Sequence, residues 1–152
     1  MKNRMTAWIA ALLAVVSAGS LQAHHSLANF DTTKAVRVKG TVVRFQQINP
    51  HSFIFLDETS ADGQTRRWAI EGPSLLQLSR RSLTKDIVKP GDVIEVCGYV
   101  PKETTIWQIA STDPAAASIA GRLINAELLV TPDGQEQDWG GYGVRKCYAP
   151  QP

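Results

Sequence analysis

Thr65-Arg66-Arg67-Trp68-Ala69-Ile70-Glu71-Gly72-Pro73-Ser74-Leu75-Leu76-Gln77-Leu78-Ser79-Arg80-Arg81 decides the fold. The period changes inside it. Trp68 and Ile70 alternate with Arg67 and Ala69, the two-residue repeat of a strand. Gly72-Pro73-Ser74 then breaks the strand and opens a short helix. Leu75, Leu76, Leu78 and Leu83 give that helix an apolar stripe. Arg80 and Arg81 fall in its last turn, where cations favour the helix dipole.

Two strands are expected before this junction. Val36, Val38, Gly40 and Val42 face one way, and Arg37, Lys39 and Thr41 the other, over Val36 to Phe45. Gly40 suggests a bulge or sharp bend in that strand. Asn49-Pro50 interrupts the chain, and His51 to Asp57 follows around Ser-Phe-Ile-Phe-Leu. Asp62-Gly63 is a hairpin turn leading into Thr65–Glu71. Two more strands are expected after the helix. Lys89-Pro90-Gly91-Asp92 turns the chain into Val93–Tyr99, where Val93, Glu95, Cys97 and Tyr99 alternate with Ile94, Val96 and Gly98. Lys102 to Ala120 reads as a loop or added segment. Arg122 to Val130 is the fifth strand, closed by Pro132-Asp133-Gly134.

The expected fold is therefore all-β with one short helix. The order β-β-β-α-β-β matches an OB-like five-stranded barrel, in which the helix plugs one end. The expected organisation is a signal peptide at 1–23, an N-terminal arm at 24–34, the barrel at 35–130 and a Gly-rich, aromatic tail at 131–152. In that tail Trp139, Tyr142 and Cys147 would tie the chain back to the body.

The first 23 residues read as a targeting segment. Lys2 and Arg4 make a basic start, and Ala7 to Val16 is an apolar run of ten residues. A membrane-spanning helix needs about 20 apolar residues, so this run is too short to anchor the chain, and no later run compares with it. The expected location is periplasmic or secreted, with no membrane span after processing. Removing Lys2 and Arg4 with the leader leaves 14 Lys and Arg against 14 Asp and Glu. A balanced charge argues against a nucleic-acid partner, which calls for a basic stripe. Cys97 and Cys147 are the only cysteines, and in an exported chain such a pair reads as a disulfide.

The three histidines are the sharpest candidates for chemistry. Cleavage after Ala23 would place His24 and His25 at the mature terminus. There the α-amine and imidazoles could chelate copper or zinc, with His51 as a further donor. Leu21 is large for the −3 position, whereas Val16-Ser17-Ala18 is a better triplet. Cleavage after Ala18 would leave five residues before His24 and remove the amine chelate.

A metal-free binding module is the competing expectation. Its ligand face would be the second and third strands, with Phe53, Phe55, Arg66, Arg67 and Trp68, and its ligand a small molecule. A third role is contact with an envelope protein through the tail around Trp139 to Tyr142. Enzyme signals are poor. Asp57, Glu58 and Glu71 are the carboxylates that acid–base chemistry would use. No nucleophile elbow, phosphate loop or His-Glu-x-x-His helix accompanies them. No catalytic residue is assigned.

Several motifs in order carry a resemblance. They are Ala23-His24-His25-Ser26 with Phe30-Asp31, Val38-x-Gly40-Thr41-Val42, Asn49-Pro50-His51, Trp68-x-Ile70-Glu71, Leu83-Thr84 and Lys89-Pro90-Gly91-Asp92. Over Ala23 to Val100 the chain resembles a family of exported bacterial proteins classed as a domain of unknown function. The resemblance implies a periplasmic barrel and marks His24, His25 and His51 as motif positions. It implies no activity.

Overall fold

A computed structural model describes residues 27–83, 86–102, 122–140 and Cys147. The leader, His24, His25, most of the segment after Lys102, and Tyr142 lie outside the described residues. The strands are β1 (Val36–Gln46), β2 (Phe53–Thr59), β3 (Thr65–Glu71), β4 (Val93–Tyr99), β5 (Leu123–Val130) and β6 (Glu136–Asp138), with one helix, α1 (Leu75–Arg80), between β3 and β4. β1 pairs antiparallel with both β2 and β4, β2 with β3, and β4 with β5. A parallel pairing of β3 with β5 closes the ring. This is the expected OB-like five-stranded barrel.

Strand parity decides what lies inside. Val38, Val42, Ile54, Leu56, Ile70, Ile94, Val96, Ile124, Ala126 and Leu129 fill the interior. Two bulges reset that parity. In β1 the register jumps between Val42 and Arg44, so Phe45 turns inward past the extra Val43. In β5 the extra residue is Glu127, since Cys97 faces Leu128 while Gly98 faces Ala126. The break expected at Gly40 therefore sits three residues later. Gly40 has a different reason: a Cβ there would strike the Asp57 carbonyl backbone, which cannot move aside. β1 needs glycine where β2 coils closely over it.

α1 has six residues, too few to be stable alone. Both ends are tied. Ser74 and Gln77 form a reciprocal capping box. At the other end Ser82 is left-handed, at φ 56°. Its N–H reaches the Ser79 carbonyl, and that of Leu83 reaches the Leu78 carbonyl, the Schellman pattern. Leu78 and Leu83 both pack on the barrel core. Leu76, expected in the apolar stripe, is instead 58% exposed. It sits one position from Leu75 and two from Leu78, so it points off their shared face.

The tail contributes to the barrel from its first residues. β6, not expected from the sequence, pairs with β5 at Leu128–Val130. It continues the edge that β3 leaves after Asn125. The Trp139 and Gly140 N–H groups both donate to the bulge carbonyl of Glu127. Trp139 is fully buried and packs near Phe45, ring centroids 6.0 Å apart. Burial of an indole this size contributes about 5 kcal/mol. Arg81, just past α1, donates to the Asp138 and Trp139 carbonyls. Trp139 is therefore a clamp and offers no exposed surface to a partner.

Cys97 and Cys147 form the expected disulfide, with Cα atoms 5.7 Å apart. Both are buried beside Leu128 on the outer face. Arg37 pairs with Glu95 at 2.6 Å and donates to the Cys147 carbonyl.

Candidate functional site

The outer face carries a second apolar cluster, made by Phe30, Phe55, Ala69, Tyr99 and Leu123, with Leu27, Ala35, Val43 and Phe53 at its margin. The arm supplies Leu27 and Phe30. It is pinned by a bridge from Phe30 to Pro101 and by Asp31 and Lys102 N–H groups donating to Val100 and Asn29 carbonyls. Phe30 is 1% exposed. The arm thus covers the outer surface of β2, β3 and β5.

A row that brings polar side chains to the edge of this cluster runs across the sheet. Phe53, Glu71, Asn125 and Tyr99 are successive neighbours across β2, β3, β5 and β4. Glu71 and Asn125 are 3% and 5% exposed. Glu127, at the bulge, is buried and accepts from the Tyr99 hydroxyl at 3.2 Å. Asn125 Oδ1 has no hydrogen-bond partner among the described residues, a costly state for a buried polar atom.

His51 meets this row at its β3 end. Its Nδ1 lies 3.3 Å from Glu71 Oε1, with the imidazole 22% exposed. The Asn-Pro-His turn places it there. The Asn49–Pro50 peptide is cis. Asn49 Oδ1 accepts from the Leu75 N–H at the start of α1, at 3.3 Å. Ser52, buried, donates through both N–H and Oγ to the Pro73 carbonyl, and its own carbonyl accepts from Gly72 N–H. With Asn49 and Ser52 tied on either side, His51 is held against the end of β3.

The five residues expected as one ligand face do not share a face. Phe53, Phe55 and Arg67 point outward, whereas Trp68 points into the barrel and Arg66 shares its parity. Phe55 is buried beneath the arm cluster. Arg67 forms a two-point pair with Asp57, at 2.7 and 2.8 Å. Trp68 Nε1 donates to Glu58 at 2.8 Å. Arg66 is exposed near Asp62, 3.7 Å away.

The three carboxylates are also separated. Asp57 and Glu58 lie near the β2–β3 turn, while Glu71 lies at the far end of the hairpin. Asp57 and Glu71 are four register steps apart, about 13 Å. They form no catalytic pair. Among the described residues no group of three His, Cys, Asp or Glu side chains is gathered for a metal. His51 and Glu71 supply two donors, and His24 and His25 lie outside the described residues.

Asn125 and Glu127 were not picked out from the sequence, and Phe30 and Tyr99 were named there only as a motif position and a strand residue. The signal was present in Leu-Ile-Asn-Ala-Glu-Leu-Leu-Val. Two polar residues interrupt an otherwise apolar strand there.

Among solved structures the chain is similar to a small single-stranded DNA-binding protein from Streptomyces coelicolor. Identity is 12%, coverage 64% of this chain and 91% of that one, and the TM-score 0.40. No curated protein matches the chain. A family model described as a family of unknown function, DUF6152, matches residues 11–116. That match spans more than half of the sequence, and the chain belongs to this family.

Proposed function

We propose that the chain is an exported, periplasmic binding module whose ligand is a copper or zinc ion. His51 would hold it on the outer face, together with the α-amine and imidazole of His24 and the imidazole of His25. The observation that carries the reading is the contact of a part-exposed His51 with the buried Glu71 carboxylate. The orphaned Asn125 oxygen lies on the neighbouring strand.

Two further points support it. Leu27 packs against the cluster that borders the polar row, and covalent geometry keeps the His25 Cα within about 7 Å of the Leu27 Cα. Imidazole donors suit copper and zinc. Export is supported by the leader-like start and by the Cys97–Cys147 disulfide, a bond suited to an oxidising compartment. Among the described residues no helix is long and apolar enough to cross a membrane.

The test is titration of the processed protein with copper(II) and zinc(II), beside His51→Ala and a protein with one extra N-terminal residue. Intact mass fixes the cleavage site. The metal reading expects the tightest binding in the protein that starts at His24, and a loss in both variants. Equal, weak binding in all three favours a metal-free module instead. In that case Asn125 Oδ1 would accept from an N–H or O–H of a small polar ligand or an envelope partner.

A further inference from the structure

We infer that the outer-face row of Gln46, Phe53, Glu71, Asn125 and Tyr99 is a site for an organic cation, an alkylguanidinium or alkylammonium whose N–H donors are accepted by Glu71 and Asn125. The inference goes beyond the metal reading and does not need it, since no histidine holds the ligand.

Register sets the row. Gln46 stands opposite Phe53, Phe53 opposite Glu71, Glu71 beside Asn125, and Asn125 opposite Tyr99. All five share the outer face, because Phe45, Ile54, Ile70 and Ile124, their neighbours in sequence, point into the barrel. Adjacent strands lie about 4.8 Å apart. Two amide oxygens in the row, Gln46 Oε1 and Asn125 Oδ1, are buried with no hydrogen-bond partner. They belong to β1 and β5, on either side of Glu71. Two such orphans on one row are unfavourable until a donor from outside the chain meets them.

The charge of that donor follows from Glu71. Its carboxylate is buried, and among the described residues its one charged contact is the imidazole of His51. A buried carboxylate with so little counter-charge is costly, and an incoming cation offsets that cost. None of the five residues is Lys or Arg. Arg67, on the same face, is already paired with Asp57. Arg44 stands opposite Phe55, two strands from Glu71. A planar guanidinium presents several N–H groups at once, which suits a carboxylate and an amide oxygen on adjacent strands. Phe53 lies between Gln46 and Glu71 and is half-buried at the margin of the outer cluster. Its ring would lie against the cation and its alkyl chain. The buried end of the row therefore holds the head group, and the Gln46 end meets the tail.

The test follows backbone amide shifts of the processed protein in metal-free buffer at about pH 8, above the ordinary histidine range. The probes are butylguanidinium and, separately, butylammonium. Saturable shifts centred on Phe53, Glu71 and Asn125 are expected, and the tighter probe names the head group. Tetramethylammonium carries the charge without N–H donors, and butanamide the donors without the charge. Both should bind at least about 10-fold more weakly than the better cation. Asn125→Leu replaces the amide by an apolar group of similar size. It should lose about 10- to 100-fold in affinity, while its urea midpoint stays level or rises. That combination separates a ligand contact from a structural one. Shifts confined to other faces, no saturation with either cation, controls that bind equally well, or wild-type affinity in Asn125→Leu would each overturn the inference. Where Asn125→Leu does not fold, Glu71→Gln decides by the same comparison. A chain that binds copper or zinc but neither organic cation refutes this inference and leaves the metal reading standing.

Discussion

Replacing Cys97 and Cys147 together by Ala measures how the tail is held. The bond joins β4 to a residue 50 positions later. Chain-entropy arithmetic for that loop gives about 14 cal/mol/K, or about 4 kcal/mol at 25 °C. Both cysteines are buried beside Leu128, so removing the sulfurs also loosens packing by about 1 kcal/mol. A loss of about 5 kcal/mol is large against a total of about 5–15 kcal/mol. The variant keeps the β5–β6 pairing and the Trp139 clamp, which act only in the folded chain. They do not replace a constraint on the unfolded one.

The assay is urea unfolding of the oxidised wild type, the reduced wild type and the double variant. The midpoint should fall in both of the latter, and the melting temperature by about 15–20 °C. The denaturant slope should rise, because the uncrosslinked chain exposes more surface when unfolded. A loss below about 1.5 kcal/mol with an unchanged slope would refute the reasoning. The crosslink would then not restrict the unfolded ensemble.

Two other perturbations have signs that the structure sets. Ser82 holds the left-handed position of the Schellman turn without being glycine. Ser82→Gly should therefore raise stability by about 0.5–1 kcal/mol, read as a higher urea midpoint. A lower midpoint would mean that the Ser82 hydroxyl matters more than its backbone. Asp31, Asp62 and Asp133 accept hydrogen bonds from the Thr33, Ser60 and Thr131 side chains, which hold their carboxyls below the ordinary value of 3.8. The unfolded chain then binds more protons around that pH. This contribution is present above pH 3.8 and is lost as pH falls through the lowered values. The triple Asp→Asn variant should flatten the acid limb of the stability profile between about pH 5 and 2. An unaltered limb would place acid unfolding elsewhere.

The barrel was legible because its rules are local. Alternation in Val36–Val42, Trp68–Glu71 and Val93–Tyr99 set inside against outside. Gly63, Gly91 and Gly134 mark the expected turns, all at positive φ. The Cys97–Cys147 pair followed from the count of two and from the expectation of export. What was not legible depends on non-local geometry. Strand pattern alone could not locate the bulges at Val43 and Glu127, since each is defined by its partner strand. The ligand face built on Phe53, Phe55, Arg66, Arg67 and Trp68 treated neighbours in sequence as neighbours on a surface, and parity divides them. Phe30 lies outside any strand, and only the fold shows that it covers β2 and β3. Asn49-Pro50-His51 stood out as a motif. Glu71 stood out as a motif position and a candidate carboxylate, but not as the partner of His51, because the contact links positions 20 residues apart.

The barrel does not need the polar row on its outer face. The pairing of β3 with β5 comes from backbone hydrogen bonds, and the core behind it is formed by Ile70, Ile124 and Ala126. Apolar side chains at Glu71 and Asn125 would extend the cluster of Phe55, Ala69 and Leu123 already on that face. A buried carboxylate and an unpartnered amide oxygen work against folding stability there. The capping box, the Schellman turn, the Trp139 clamp and the disulfide all act in the opposite direction. Features that cost stability and lack a structural return are where a binding role is most economically sought. On this chain the His51 end of the row is that place. There the buried Glu71 carboxylate meets the one imidazole among the described residues.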